Sequence, residues 1–197
     1  MKILFCLCLL STFILGTAVA AEDFDLDQVH TNVGFSIRHM LVSNTKGNFK
    51  NFSGTLAYDP SDLANSKFTA KIQVNSIDTD NEKRDEHLKS SDFFDVEKFP
   101  EITFESTKFE KSNKNITVIG ILTMHGVKKE VILPLVMTEK VKDAWGNTRI
   151  GMHSEFVVNR QDYGITWSQV LDNGGLTIGN DVKVELDAEW TLKKAAA

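Results

Sequence analysis

Past residue 20 the chain has no cysteine, because Cys6 and Cys8 both fall in its first twenty residues. That absence excludes disulfides, thiol nucleophiles and thiolate-held metals from the remainder, even in an oxidising compartment. Stability must then come from a packed core. Basic charge is also scarce. The formal net charge is −5, and it becomes −6 once Lys2 is set aside. A mildly acidic chain with scattered lysines lacks the basic face that nucleic acid favours, so no nucleic-acid partner is expected. No apolar run beyond residue 20 reaches the roughly 20 residues of a spanning helix, which argues against stable membrane insertion. Catalytic signatures are missing too: there is no nucleophile elbow, phosphate loop or paired-carboxylate motif. His30, His39, His87, His125 and His153 form neither HExxH nor a close pair. No metal and no cofactor is therefore expected.

What the sequence does have begins with a leader. Lys2 supplies a positive start, Ile3 to Leu15 an apolar stretch, and Ala18-Val19-Ala20 the small residues of a cleavage site. This is the order of a secretory signal, predicting cleavage between Ala20 and Ala21. Residues 21–197 are expected to form a single domain, a length that suits one core.

The strongest signal in that domain is alternation with period two, the mark of strands with one buried face. Val182, Val184, Leu186, Ala188, Trp190 and Leu192 alternate with Asp181, Lys183, Glu185, Asp187, Glu189 and Thr191. A helix would spread those six apolar residues around its whole cylinder. Similar patterns predict strands over 29–40, 46–59, 67–77, 101–110, 115–125, 127–141, 147–158 and 181–193. Turn formers separate them: Asp59-Pro60-Ser61-Asp62, Ser112-Asn113-Lys114, His125-Gly126 and Trp145-Gly146-Asn147. Gly126 and Gly146 are expected to supply positive φ. Residues 80–91 are charged and lack β-branched side chains, which predicts a short helix with Asp80 as its N-cap. Phe93 and Phe94 follow at once and need cover, which favours a helix that plugs or lids one end of the strands over a solvated surface helix. Eight antiparallel strands with one apolar face can close as a barrel or stack as a sandwich. Closure removes exposed edges. Such a barrel is just wide enough to be filled by side chains or to hold one small ligand, and alternation does not choose between these.

Specific motifs then carry a resemblance. They run from His30-Thr31-Asn32-Val33-Gly34-Phe35-Ser36-Ile37-Arg38-His39 through Gly47-Asn48-Phe49-Lys50-Asn51-Phe52-Ser53-Gly54 to Arg84 and His87-Leu88. Asp92-Phe93-Phe94-Asp95-Val96, Phe99-Pro100-Glu101-Ile102-Thr103-Phe104 and His125-Gly126-Val127-Lys128-Lys129 continue the series. Asn159-Arg160-Gln161-Asp162-Tyr163-Gly164-Ile165 and Ile178-Gly179-Asn180-Asp181-Val182 close it. In order and spacing the chain resembles the YceI-like family of exported bacterial lipid-binding proteins. The resemblance implies an all-β, extended, eight-stranded antiparallel lipocalin-like barrel with a long apolar pocket. It also implies a periplasmic location and a long-chain lipid ligand: a polyisoprenoid, an isoprenoid quinone or a fatty-chain amphiphile. A homodimer is compatible with a two-ended tunnel.

Eleven phenylalanines remain after Phe5 and Phe13 are set aside with the leader. Any one of them is ordinary core, but a tunnel lined by Phe35, Phe49, Phe52, Phe93, Phe94, Phe104 and Phe156 would suit a prenyl chain. Ile37, Leu122 and Trp167 complete the apolar candidates. Burying one five-carbon unit contributes roughly 3 kcal/mol before ordering costs, so a few units reach micromolar binding. His39 lies on an apolar strand face, where it can be a hydrogen-bonded core residue or meet a ligand oxygen. Arg84 and His87 share a helix face and are candidates for a polar head group. Arg160 and Asp162 are expected to pair and pin the irregular stretch 159–180. The residues support three readings: a lipid carrier, an enzyme acting on such a lipid through His39, His87 or Arg84, and a structural partner with a solid core.

Overall fold

The computed structural model describes residues 20–112, 115–170, 172 and 174–194. The leader predicted over 1–20 lies, but for Ala20, outside the described residues, as does the tip of the Ser112-Asn113-Lys114 turn. Alternating segments become β1 (Glu22–His39), β2 (Ser43–Phe49), β3 (Phe52–Tyr58), β4 (Lys67–Gln73) and β5 (Ile77–Asp78). One helix, α1 (Glu82–Lys89), follows. After it come β6 (Glu101–Ser112), β7 (Asn115–Met124), β8 (Val127–Met137), β9 (Val141–Lys142), β10 (Thr148–Asn159) and β11 (Ile178–Leu192).

These strands build an eight-staved antiparallel barrel. Neighbours run β11-β10-β8-β7-β6-β4-β3-β1, and β1 pairs back onto β11 to close the ring. The three short extras extend staves that break once. β3 takes the first part of β1, from Glu22 opposite Tyr58 to Asp25 opposite Thr55. β2 takes the last part, from Val33 opposite Phe49 to His39 opposite Ser43. β5 prolongs β4 beside β2, and β9 prolongs β8 beside β10. Each of the segments 46–59, 67–77 and 127–141 is thus one interrupted stave.

The first stave starts earlier than its expected residue 29. Phe24 and Leu26 alternate with Asp23, Asp25 and Asp27, and Phe24 is buried. The alternation is lost at a bulge between Asp27 and Asn32. There the Asp27 carboxylate accepts the amides of Val29 and His30 in place of ladder bonds, and Val29 stands in solvent.

The helix is shorter than expected, and its cap is Asn81, not Asp80. Asn81 is extended, and its side chain accepts the Arg84 amide at 3.0 Å. Asp80 has φ 59 and serves the turn before it. The helix stops because the chain doubles back: the Phe94 amide donates to the Leu88 carbonyl and the Val96 amide to that of Lys89, both at 3.0 Å. Gly126 and Gly146 have the expected positive φ, 75 and 82. The Asp59 turn is held by its own carboxylate, which accepts from Ser61, Asp62 and Asn65. These bonds, those of Ser61 and Asn65 foremost, bring its pKa down to about 2. No described helix is long and apolar enough to cross a membrane.

Candidate functional site: a lidded cavity in the upper half

Call the end carrying Glu22, Tyr58 and Leu192 the lower end, and the end carrying His39, Asn159 and α1 the upper. The lower half is solid. Phe24, Leu56, Val118, Leu135, Ile150 and Trp190 are each 1% exposed or less. Phe68 packs on Phe104 at 5.5 Å between ring centres and edge-on to Trp190 at 5.9 Å, so three aromatic rings form a plug. Gly120 makes room for it: a Cβ there would lie 2.4 Å from the Phe104 ring.

Above the plug the inward side chains do not meet. They enclose a cavity of about 350 Å³ lined by β1, β2, β4, β6, β7, β10 and β11. That volume lies near the lower end of the range for small-molecule sites. Eleven of the thirteen candidate residues line it: Phe35, Ile37, His39, Phe49, Arg84, His87, Phe93, Phe94, Leu122, Phe156 and Trp167. Phe104 does not, because its ring is part of the plug. Phe52 is buried but also lies off the cavity wall. Val33, Val182 and Val184 line it as well, and they share the strand face of residues already named. Ile165 and Thr177 come from the irregular stretch, where no periodicity could have marked them.

The lid has two parts. α1 is pinned to the barrel through Thr79: Arg84 donates to its hydroxyl at 2.7 Å and to its carbonyl, and Asp85 accepts from its amide and hydroxyl. The second part is the stretch after β10. His87, Phe93 and Trp167 join the two as a triangle of rings with centres 5.0–5.1 Å apart. His87 also bonds Asp92 at 2.9 Å. The lid thus closes over the cavity with aromatic faces, as its two consecutive phenylalanines require.

Arg160 departs from expectation. It does not pair with Asp162, which instead faces Lys129 at 3.4 Å. Arg160 is 4% exposed and lines the cavity. It donates to the carbonyls of Gly179 at 2.8 Å and Ile165 at 2.7 Å, and to the Asn180 side chain at 3.2 Å. Burial pulls its pKa down from the usual arginine value. The side chain pins the irregular stretch through carbonyls, and among the described residues its charge has no carboxylate partner. None of the described residues lining the cavity is acidic, whereas Arg84, Arg160, His39 and His87 all are potential donors there. Apolar walls with a few donors suit an apolar tail that carries an acceptor-rich head.

Elsewhere, Asp27, His30 and Glu189 gather on the outer face of the lower half. Arg149 already serves as their cation: it bonds Asp27 at 2.6 Å, Asp143 at 2.8 Å and also Glu189. The Arg149 guanidinium, followed by His30, brings the Asp27 pKa down to about 2.

A closed antiparallel barrel with one filled end and one hollow, lidded end defines a lipocalin-like fold. The chain belongs to the YceI-like family, whose domain matches residues 24–190. A UPF0312 protein of Staphylococcus aureus is 38% identical over 173 residues, covering 87% of this chain and 99% of its own length. The crystal structure of the Campylobacter jejuni YceI protein is 32% identical, with a TM-score of 0.67 over 86% of this chain and 97% of that one. A polyisoprenoid-binding domain from Saccharophagus degradans shares the fold at 14% identity, with a TM-score of 0.66 over 88% of this chain and 99% of that one.

Proposed function

We propose that the chain is an exported, periplasmic carrier that holds the apolar tail of a long-chain amphiphile in the upper cavity. A polyisoprenoid, an isoprenoid quinone or a fatty-chain lipid fits this role. The single observation that carries the reading is the cavity of about 350 Å³ above a solid plug, walled by apolar side chains. At about 0.8 kcal/mol for each buried CH₂, a tail that fills it supplies most of a micromolar affinity. The name of the Saccharophagus neighbour points to the same ligand class, and the leader motif to export. Arg84 and Arg160 would meet the head group, since both reach the cavity and neither has a carboxylate partner among the described residues.

Native mass spectrometry of protein purified from its host tests this directly. The expected result is an adduct with the mass of a prenyl- or acyl-chain lipid. Val184 faces both Phe35 and Phe156 across the ladder, so Val184→Phe should fill the cavity and abolish the adduct while the barrel still folds. A lipid-free wild type that takes up neither prenol, quinone nor fatty amide would end the proposal.

A further inference from the structure

We infer that the tip of the β1–β2 hairpin is a docking point for an anionic lipid bilayer. Met40, Leu41 and Val42 form that tip, 43%, 56% and 78% exposed respectively. They stand at the upper end, directly after His39 and just before Thr45, both of which line the cavity. Val170, 74% exposed, adds a fourth apolar side chain on the neighbouring stretch. That stretch is tied to the tip by the Met40 amide, which donates to the Thr177 carbonyl at 2.8 Å.

Three features select a bilayer as the occupant. First, Met40 and Leu41 have φ of 48 and 62. Glycine or asparagine relieves that strain in most turns, yet here large apolar side chains are held in it and face outward. Second, three of the tip's six backbone polar groups are already paired, the Met40 amide among them. The Val42 amide donates to the His39 carbonyl at 3.1 Å, and the Leu41 carbonyl accepts from Arg38 at 2.7 Å. Such pairing lowers the cost of approaching the head-group layer, where the remaining groups can still meet water. Third, residues 38–46 contain Arg38 and Lys46 and no acidic residue, in a chain with net charge −5. Both cations are exposed, so the tip is apolar with a basic collar. That combination matches the interface of a membrane with negative head groups. Its use rests on the carrier reading: an apolar ligand would pass between bilayer and cavity without crossing water.

Co-sedimentation of the purified protein with phosphatidylethanolamine–phosphatidylglycerol vesicles tests the inference. Wild type should pellet with the vesicles, and Leu41→Asp/Val42→Asp should lower the partition by roughly tenfold or more. Trp145→Asp, at an 82% exposed site on the lower end, should leave it unchanged. Adduct formation with lipid supplied in detergent is measured in parallel and separates the two proposals. If the tip variant keeps its adduct and loses the vesicles, docking is established. If wild type binds vesicles but never yields an adduct, docking survives and the carrier reading falls. If wild type stays in the supernatant, or Trp145→Asp behaves like the tip variant, the docking point is overturned. It is likewise overturned if the tip variant only dissociates a dimer, which would show that a second copy covers the tip.

Discussion

The two halves of this barrel are built by the same staves and end differently. β1 buries Phe24 in the plug and lines the cavity with Phe35; β11 buries Trp190 below and lines the cavity with Val184 above. Alternation is the same in both halves. In the lower one, Trp190, Phe68 and Phe104 reach across the axis and touch. In the upper one, the wall side chains stop short of one another, and the rings of His87, Phe93 and Trp167 close the top instead of filling the middle. A core can therefore be assigned by side and still differ in depth. Stability should concentrate where side chains meet, and binding where they do not.

That contrast can be broken most forcefully at the plug. Trp190→Ala should cost about 3–5 kcal/mol in urea unfolding of the lipid-free protein. Phe156→Ala, whose ring already borders open space, should cost less than about 2 kcal/mol yet weaken ligand retention. Equal losses at the two sites would show that the halves are not energetically distinct. Next comes Arg160→Met, which leaves the Ile165 and Gly179 carbonyls without their donor. A loss of about 1–3 kcal/mol is expected, with hydrogen exchange rising in the lid stretch after β10 and not in the plug.

Acid should weaken the lower half through two of its carboxylates. Asp27 and Asp59 are both held at about 2 in the folded state, against an ordinary 3.8. Between those values the unfolded chain binds more protons than the folded one. The share of stability these two carboxylates supply is thus in place above about pH 4 and is lost as pH drops toward 2. Asp27→Asn should flatten part of that slope in a series of thermal melts. The smallest effect is expected at Asn81→Ala, about 1 kcal/mol of helix capping. It should show as faster ligand release through a looser lid, with little change in the melting temperature.

Much of this architecture was legible in the residues. All eight staves follow from apolar alternation, and the two phenylalanines after a charged segment pointed to a lid. Of the eleven candidate residues that line the cavity, six share inward strand faces near one end, and Arg84, His87, Phe93, Phe94 and Trp167 reach it from the lid. Phe104 and Phe52 lie off the cavity wall for a physical reason: alternation tells which side of the sheet a ring is on, not how far along the axis it meets another. The bulge after Asp27 hid the start of β1, because a side chain there replaced the ladder bonds that make a pattern visible. Arg160 was expected to seek a carboxylate nearby in sequence. It found the carbonyl of Ile165, five residues on, and that of Gly179, which only β11 brings close and no local spacing encodes.

One consequence follows from the pairing of β1 with β11. Phe24 lies opposite Leu192, so the earliest and latest staves to be synthesised are neighbours. Until β11 arrives, the sheet has two unsatisfied margins and the plug lacks Trp190. Contacts so distant along the chain are slow to form, and the half-made sheet is open to pairing with other chains. The cavity can exist only after the final stave is seated, so ligand loading must come after folding is complete.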